Sequence, residues 1–234
     1  MWGGGAGRRP DLRSSSLGPG GPGDAWPAPE RCAQPVYPEL VDDAAVTGAD
    51  LGQVVATLEA LTLPDDQAPI REQMLVFAGT HPDALWRTCP DGHFTASALV
   101  VDHERERLLV LFHTKLQRWL QPGGHVDGAG DLAVSALREA SEETGIEGLQ
   151  VLEPAIDLDI HEVRPPSEPP HLHLDVRFVV LAPAGATVVG NHESQELRWV
   201  APDELVALGA DAGLLRLSER GLAHARRVGS LDQP

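Results

Sequence analysis

The chain has 234 residues, with 35 acidic against 18 basic side chains and a formal net charge of −17. This acidity argues against a nucleic-acid polymer as the main ligand, because polymer binding depends on basic side chains that neutralise phosphates. No apolar run near the N-terminus is long enough for a signal peptide and none anywhere reaches the length of a membrane span, so a cytoplasmic location without membrane attachment is the default expectation. The two cysteines, Cys32 and Cys89, lack zinc-site spacing and do not predict a structural disulfide.

The N-terminal part of the chain divides into a tail and a helical extension. Residues 1–37 are rich in Gly, Pro, Ser and Arg and predict disorder, since this composition cannot bury enough apolar surface to offset chain entropy. Residues 38–90 predict the extension. Its first helix shows apolar residues at helical spacing over 51–61, with Asp50 as the expected cap. A second helix is expected over 66–78, and structural support of the main domain is the favoured role of both.

The main domain is predicted over residues 91–230. Strands are expected at His93–Val101, Arg107–His113, Leu149–Ile160, His171–Leu181 and Glu196–Val200. Helices are expected at Asp131–Thr144, near Leu205, and over Leu214–Arg227. Strands on both sides of one acidic helix, followed by closing helices, favour an α/β fold of the α/β/α sandwich type with a mixed sheet.

The acidic helix carries the pattern with the clearest chemical meaning. Glu139, Glu142 and Glu143 follow the i, i+3, i+4 spacing that places side chains on one helix face. Carboxylates crowded in this way repel one another unless a cation lies among them, and Mg²⁺, or alternatively Mn²⁺, prefers oxygen ligands. A metal ion at this position would be suited to promoting the attack of water on a phosphate, and this is the chemistry that the pattern predicts. The alternative is a solvated acidic face without a ligand.

The segment GGHVDGAGDLAVSALREASEETGI, residues 123–146, resembles the signature of the Nudix hydrolase family. That signature is G, five residues, E, seven residues and REUxEExGU, where U is a bulky aliphatic residue. Gly124 opens it here and residues 138–146 close it, so the motif covers about one tenth of the chain. The resemblance implies a Mg²⁺-dependent hydrolase that cleaves the diphosphate (pyrophosphate) linkage of a small molecule. A nucleoside diphosphate joined to another group is the substrate class it implies, and a homodimer is left open.

One position departs from the signature, because Gly130 stands where the family has glutamate. By resemblance, that glutamate supports the loop–helix geometry through the motif arginine. Its loss therefore predicts weaker loop rigidity and catalysis more than weaker metal binding. Asp131 is expected either to cap the helix or to substitute for the missing carboxylate. The departure leaves open a second function, a nucleotide-binding or sensing module with little turnover.

The residues around the acidic helix are expected to position the reaction. Gly123 and Gly124 allow the backbone to turn tightly and to approach a ligand or the helix closely. His125 follows them and is expected to face the substrate. Arg138 is expected to pair with Glu142, or with a loop carboxylate, and so to orient the metal ligands. We count Glu142, Glu143 and Arg138 among the expected catalytic residues.

A general base is also needed. The resemblance places such a base in a late loop before a strand that contains a tryptophan, here residues 191–199. Glu193 is the first choice and Glu196 the second. A loop carboxylate without a catalytic role is the alternative.

Three further histidines and one tryptophan are candidates with plainer alternatives. His171 and His173 project from one strand face and His161 is expected nearby, so these imidazoles could bind a softer metal or a phosphate. The favoured interpretation is a polar strand face that lines the cleft. Trp119 could stack on a base, although an aromatic residue near a strand end more often belongs to the core.

Overall fold

Seven strands and five α-helices make up the part of the chain that the structure, a computed structural model, describes: residues 48–191 and 194–231. The helices are α1 Gly48–Ala60, α2 Ala68–Thr80, α3 Leu132–Thr144, α4 Glu204–Ala207 and α5 Ala212–Leu231. The strands are β1 Gly92–Val101, β2 Leu108–His113, β3 Trp119–Leu120, β4 Gly123–His125, β5 Gln150–Val163, β6 His171–Leu181 and β7 Ser194–Val200. Within these ranges, no helix combines the length and apolar character that crossing a membrane requires. The predicted tail lies outside the described residues, as does the start of the predicted extension.

The strands form one mixed sheet in the order β3-β2-β1-β6-β5, with β4 paired to β1 and β7 paired to β2. β1 and β6 run parallel over their whole length, whereas the other pairs are antiparallel. All ten residues of β1 are buried, as expected for a central strand covered on both faces. The predicted mixed sheet is therefore confirmed.

Helices cover both faces of this sheet. Successive side chains of a strand point to opposite faces, and β1 supplies both cores. Phe94, Ala96, Ala98 and Val100 pack in one cluster with residues of α1, α2 and α3. Leu99 and Val101 pack in a second cluster with residues of α5. This is the expected α/β/α sandwich.

The two N-terminal helices begin at positions that differ from the predicted ones. α1 starts at Gly48, so Asp50 lies inside the first turn and the prediction that it caps the helix is wrong. A single 3-10 turn over Asp65–Gln67 precedes α2, which starts at Ala68 and has a proline in its first turn. Proline is tolerated there because the first-turn N–H groups lack helical partners anyway. Both helices contribute residues to the main core.

The C-terminal helix is longer than the apolar pattern indicates. α5 begins at Ala212, and the carboxylate of Asp211 accepts a hydrogen bond from the N–H of Leu214 at 2.9 Å. This bond satisfies one of the N–H groups that a helix start leaves without a partner. β5 also extends beyond its predicted end, and its pairing with β6 shifts register between Leu152 and Asp157.

A group of buried charges lies on the α5 face of the sheet. The guanidinium of Arg177 is 2.7 Å from Asp175, 3.1 Å from Asp159 and 3.3 Å from Asp157. Burial by itself would lower the pKa of Arg177, but the negative charges of Asp175 and its neighbours raise it. Arg216 also contacts Asp157, at 2.9 Å. The charges are mutually compensated, so removing a single member leaves a buried charge without its partner.

Candidate active site

The acidic helix α3 is fixed at both ends by its own sequence. Asp131 has an extended backbone, and its carboxylate accepts the N–H of Val134 at 3.0 Å. Gly145 ends the helix in the left-handed conformation, with φ 65°, where glycine carries no Cβ penalty. The predicted helix is therefore confirmed to within one residue. Val134 is 58% exposed, because the buried face of the helix follows Ala133, Ala136 and Ala140.

Two glycines of β4 lie directly against the carboxylates of α3. The N–H of Gly123 donates to Oε2 of Glu143 at 2.9 Å, and Glu143 is only 4% exposed. Gly124 lies against Glu139, because a Cβ there would lie 2.5 Å from Oε2 of Glu139 and would force that carboxylate to shift. These glycines permit the close approach of the strand to the helix, while their contact with a substrate stays a prediction.

Arg138 joins the same strand to two of the carboxylates. Its Nη2 donates to the backbone carbonyl of His125 at 2.8 Å and lies 2.9 Å from Oε1 of Glu139. Its Nη1 lies 3.7 Å from Oε2 of Glu142, at the predicted i+4 spacing. Glu139 is thus the closer partner, and Arg138 orients it while holding β4.

The three glutamates differ in their access to solvent. The side chain of Glu142 is 45% exposed and that of Glu139 is 14% exposed, whereas Glu143 is buried. In the described ranges, the group of three potential metal ligands whose donor atoms lie within 4.8 Å of one another is made of histidines and not of these glutamates. The glutamates therefore offer oxygen donors along one edge and not a closed cage. Such a donor set fits Mg²⁺, which keeps several waters and uses one or two carboxylates together with substrate phosphates.

The late loop docks on the C-terminal end of α3. The N–H of Val189 donates to the carbonyl of Thr144 at 2.9 Å, and Nδ2 of Asn191 donates to the carbonyl of Glu142 at 3.2 Å. Glu193, the expected general base, lies outside the described residues, and its role stays a prediction. The loop that leads to it is nevertheless attached beside Glu142.

Residues 92–220, more than half of the chain, match the family model of the NUDIX domain. The chain belongs to the NUDIX domain family. A Streptomyces rubellomurinus protein named CMP-5'-(N-acetyl-N-hydroxy-3-aminopropyl)phosphonate hydrolase is 34% identical over 123 residues, which are 48% of this chain and 54% of the relative. The RNA pyrophosphohydrolase of Brucella ovis is 33% identical over 85 residues, which are 36% of this chain and 39% of the relative. The chain thus spans about half or less of the length of these relatives.

Two solved structures align with more than half of this chain. A NUDIX-family hydrolase from Clostridium perfringens aligns with 57% of this chain and 97% of its own, at 22% identity and a TM-score of 0.49. An Ap4A hydrolase from C. elegans, solved as a binary complex, aligns with 58% of this chain and 98% of its own, at 20% identity and a TM-score of 0.47.

Gly130, the departure from the NUDIX signature, is packed against the N-terminal extension. A Cβ at this position would lie 2.4 Å from the carbonyl oxygen of Asp50 and 2.9 Å from its Cα. A glutamate therefore has no room here unless α1 moves. The preceding loop has another support, because Asp127, at φ 48°, forms two hydrogen bonds with Arg87, at 2.6 and 2.9 Å. The carboxylate of Asp131 caps α3, which is the first of its two expected roles.

Gly130→Ala is expected to lower the free energy of unfolding by about 1–3 kcal/mol, because the added methyl group overpacks the contact with α1. Gly52→Ala, within α1 itself, is the control, because a Cβ there meets nothing within 4 Å. That change is expected to stabilise the protein by roughly 0.5–1 kcal/mol through helix propensity. Urea denaturation measures both, and a Gly130→Ala protein as stable as the parent would contradict the tight contact.

Trp119 and the carboxylates of α3 have different surroundings. Its ring packs edge-on against Phe112, with centroids 5.3 Å apart, and the guanidinium of Arg198 lies 5.0 Å from its centroid. It lines a cleft of about 410 Å³ with residues 116–118, Gly209 and Asp211, and no residue of α3 lines this cleft. Stacking of Trp119 on a substrate base therefore stays a prediction, since the cleft beside Trp119 is not lined by the carboxylates of α3. Glu196, the second choice of base, is paired with Arg198 at 2.6 Å.

The ring of His125 belongs to a cluster of imidazoles that the sequence reveals only in part. His93 lies at its centre, with ring centroids 4.8 Å from His125, 5.0 Å from His171 and 4.9 Å from His173. His161 reaches the edge of the cluster, 5.5 Å from His173. His93 was not a candidate because its proximity depends on the register of β1 against β6, which no local pattern encodes.

Burial disfavours the charged forms of His93, His125 and His173. It lowers the pKa of His93 to about 4, with the neighbouring rings of His125 and His171 adding to the effect. The pKa of His173 and that of His125 are lowered for the same first reason, burial. Both ring nitrogens of His93 are also buried without a hydrogen-bond partner among the described residues. Leaving a buried polar group unsatisfied costs about 1–3 kcal/mol, so this arrangement needs an explanation.

Proposed function

We propose that this chain hydrolyses the diphosphate linkage of a nucleotide-like small molecule, with Mg²⁺, or alternatively Mn²⁺, as its cofactor. The observation that carries the proposal is the attachment of β4 to α3, in which three consecutive strand residues each contact one charged side chain of the helix. Membership of the NUDIX family and the names of the two relatives, a phosphonate hydrolase and a pyrophosphohydrolase, support the reaction class.

The carboxylates of α3 would hold the ion. Glu142 is the most solvent-accessible donor, Glu139 is oriented by Arg138, and Glu143 is the third donor. Since Glu143 already accepts the Gly123 N–H, we assign it mainly to positioning the glycine strand. When bound, the ion neutralises phosphate charge and lowers the pKa of a coordinated water.

The acidic surroundings make this cation a condition for substrate binding. The chain carries a net charge of −17, and anionic substrate oxygens facing the edge of α3 are repelled unless positive charge lies between them. Arg138 supplies one permanent positive charge, and its guanidinium is engaged by Glu139 and the His125 carbonyl. We therefore assign Arg138 to orientation of the ligands and not to direct neutralisation of the substrate.

Glu193 is proposed as the general base. It belongs to the same late loop as Asn191, whose Nδ2 donates to the backbone carbonyl of Glu142 at 3.2 Å. This attachment of the loop beside α3 supports the choice of Glu193. Its carboxylate would take a proton from the attacking water as the new P–O bond forms and the bridging P–O bond breaks.

A substrate panel tests the proposal. The full chain is incubated with Mg²⁺ and with nucleoside diphosphates joined to other groups, nucleoside triphosphates and triphosphorylated RNA, in isotopically labelled water. We expect a diphosphate-linked small molecule to be cut into two products, one of which carries a single labelled oxygen. The double variant Glu139→Gln/Glu142→Gln is expected to lack this turnover. Ligand-induced stabilisation without any product, unaffected by the double variant, would favour a binding module instead.

A further inference from the structure

Three imidazoles meet at the ends of β1 and β6 where both strands begin. His93 and His173 are register partners in the parallel pair, and His171 lies two residues before His173, on the same strand face. One nitrogen from each of the three lies within 4.8 Å of the others. His93 and His171 are 1% and 7% exposed and His173 is partly buried, so the cluster is not a fully solvated strand face.

The polar atoms of the His93 ring are not satisfied by any residue in the described part of the chain. Neither Nδ1 nor Nε2 forms a hydrogen bond with the described residues, although both atoms are buried. A neutral imidazole always has one nitrogen with an unprotonated lone pair, whichever tautomer is present. A lone pair in the interior that faces two other imidazoles is satisfied by a proton donor or by a metal ion.

His171 is held in the tautomer that suits metal binding. Its Nδ1 lies 2.9 Å from the carbonyl oxygen of Pro169, which can only accept, so Nδ1 carries the proton. The lone pair is therefore on Nε2. A backbone carbonyl that fixes the outer nitrogen of a histidine in this way is the usual support of a metal-ligating imidazole.

We propose that His93, His171 and His173 bind one transition-metal ion of the Zn²⁺ type. Imidazole nitrogens suit Zn²⁺, Co²⁺ and Ni²⁺, whereas Mg²⁺ prefers oxygen donors. Nitrogens about 2.05 Å from a tetrahedral ion lie roughly 3.3 Å apart, so the trio closes by small ring movements from its present spread. Three protein ligands leave a fourth position for water or for His125, whose ring lies 4.8 Å from that of His93.

This second site is separate from the carboxylates of α3. Along β1, the side chain of His93 points to the same face of the sheet as those of Leu99 and Val101, which pack against α5. Phe94 and Ala96 point to the other face and pack with α3. The two sites therefore lie on opposite faces of the sheet. They meet at β4, since the carbonyl of His125 contacts Arg138 and its ring joins the histidines.

Cobalt is the probe that tests the site. The full chain is freed of metal by dialysis against a chelator, saturated with Mg²⁺ and titrated with Co²⁺. We expect one Co²⁺ per chain with the intense visible absorption of a tetrahedral ion, and displacement of Co²⁺ by Zn²⁺. His173→Gln and His93→Gln are each expected to weaken Co²⁺ binding by roughly 100-fold or more. His103→Gln, in the exposed turn after β1, is the matched control and should bind as the parent does.

The glutamate variant separates this proposal from the hydrolase proposal. Glu142→Gln is expected to retain the tetrahedral Co²⁺ spectrum whether or not it hydrolyses anything. The histidine site is refuted if the parent chain binds Co²⁺ no more tightly than the double variant His93→Gln/His173→Gln.

His93→Phe tests the orphaned nitrogens by a second route. If the site is real, Zn²⁺ raises the unfolding temperature of the parent chain but not that of this variant. If the histidines only fill space, phenylalanine removes two unsatisfied nitrogens, stabilises the metal-free chain, and the parent shows no Zn²⁺-dependent rise.

Discussion

Glu142→Gln is expected to lower kcat for diphosphate hydrolysis by roughly 100-fold or more, with little change in the unfolding temperature. The amide keeps the size of the side chain but removes the charge that holds a divalent cation. Stability should change little because this side chain is 45% exposed and its pairing with Arg138 is loose, at 3.7 Å. Exposed ion pairs of this kind contribute only about 0–1 kcal/mol. Steady-state kinetics at saturating Mg²⁺ and thermal unfolding measure the two effects.

Two neighbouring glutamates serve as comparisons. Glu147 is exposed in the segment after α3. Its replacement, Glu147→Gln, should leave kcat within roughly threefold of the parent. Glu143→Gln should lower both activity and stability, because Glu143 is buried and accepts the N–H of Gly123. A Glu142→Gln enzyme with parental kcat at every Mg²⁺ concentration would remove Glu142 from the metal site.

Arg177→Met is expected to lower the free energy of unfolding by about 3–5 kcal/mol, because it leaves buried carboxylates without their cation. Asp175 depends on it most. This carboxylate is 2% exposed, and without Arg177 its remaining hydrogen-bond donors among the described residues are the hydroxyls of Thr95 and Ser97, at 3.0 and 2.9 Å. Asp157 retains Arg216 and is expected to suffer less. Urea denaturation at neutral pH measures the loss.

Arg164→Met is the matched control for this change. Arg164 pairs with Glu162 at the surface, where its side chain is 73% exposed, and its replacement should cost at most about 1 kcal/mol. If Arg177→Met were as stable as the control, the buried carboxylates would not require the charge of Arg177 for the stability of the fold. Substitution of the whole group by apolar residues could still be neutral, since burying ions is itself costly.

Element types followed well from local patterns, and element ends less well. The acidic helix was predictable because Asp131 and Gly145 are strong start and stop residues within the segment itself. Asp50 looked equally like a cap, but α1 extends past it to Gly48. A carboxylate near a helix start has several compatible positions, and contacts elsewhere in the fold select among them.

In the candidate site as well, some features follow from local sequence and others only from packing. The spacing of Glu139, Glu142 and Glu143 predicts one acidic helix face, because the helical repeat alone sets that geometry. The spacing does not reveal that Glu143 is buried against Gly123 while Glu142 faces solvent. The seat of Gly130 against α1 likewise joins segments about eighty residues apart in sequence.

The amino-acid sequence by itself determined the acidic helix, its preceding glycines and the resemblance to a family, since each is written within one continuous segment. Only the tertiary structure decided that His93 joins His171 and His173, because strand register brings together residues about eighty positions apart. The same holds for the buried charges around Arg177. Local periodicity orients a side chain relative to its own element, whereas the packing of elements determines which partner it meets.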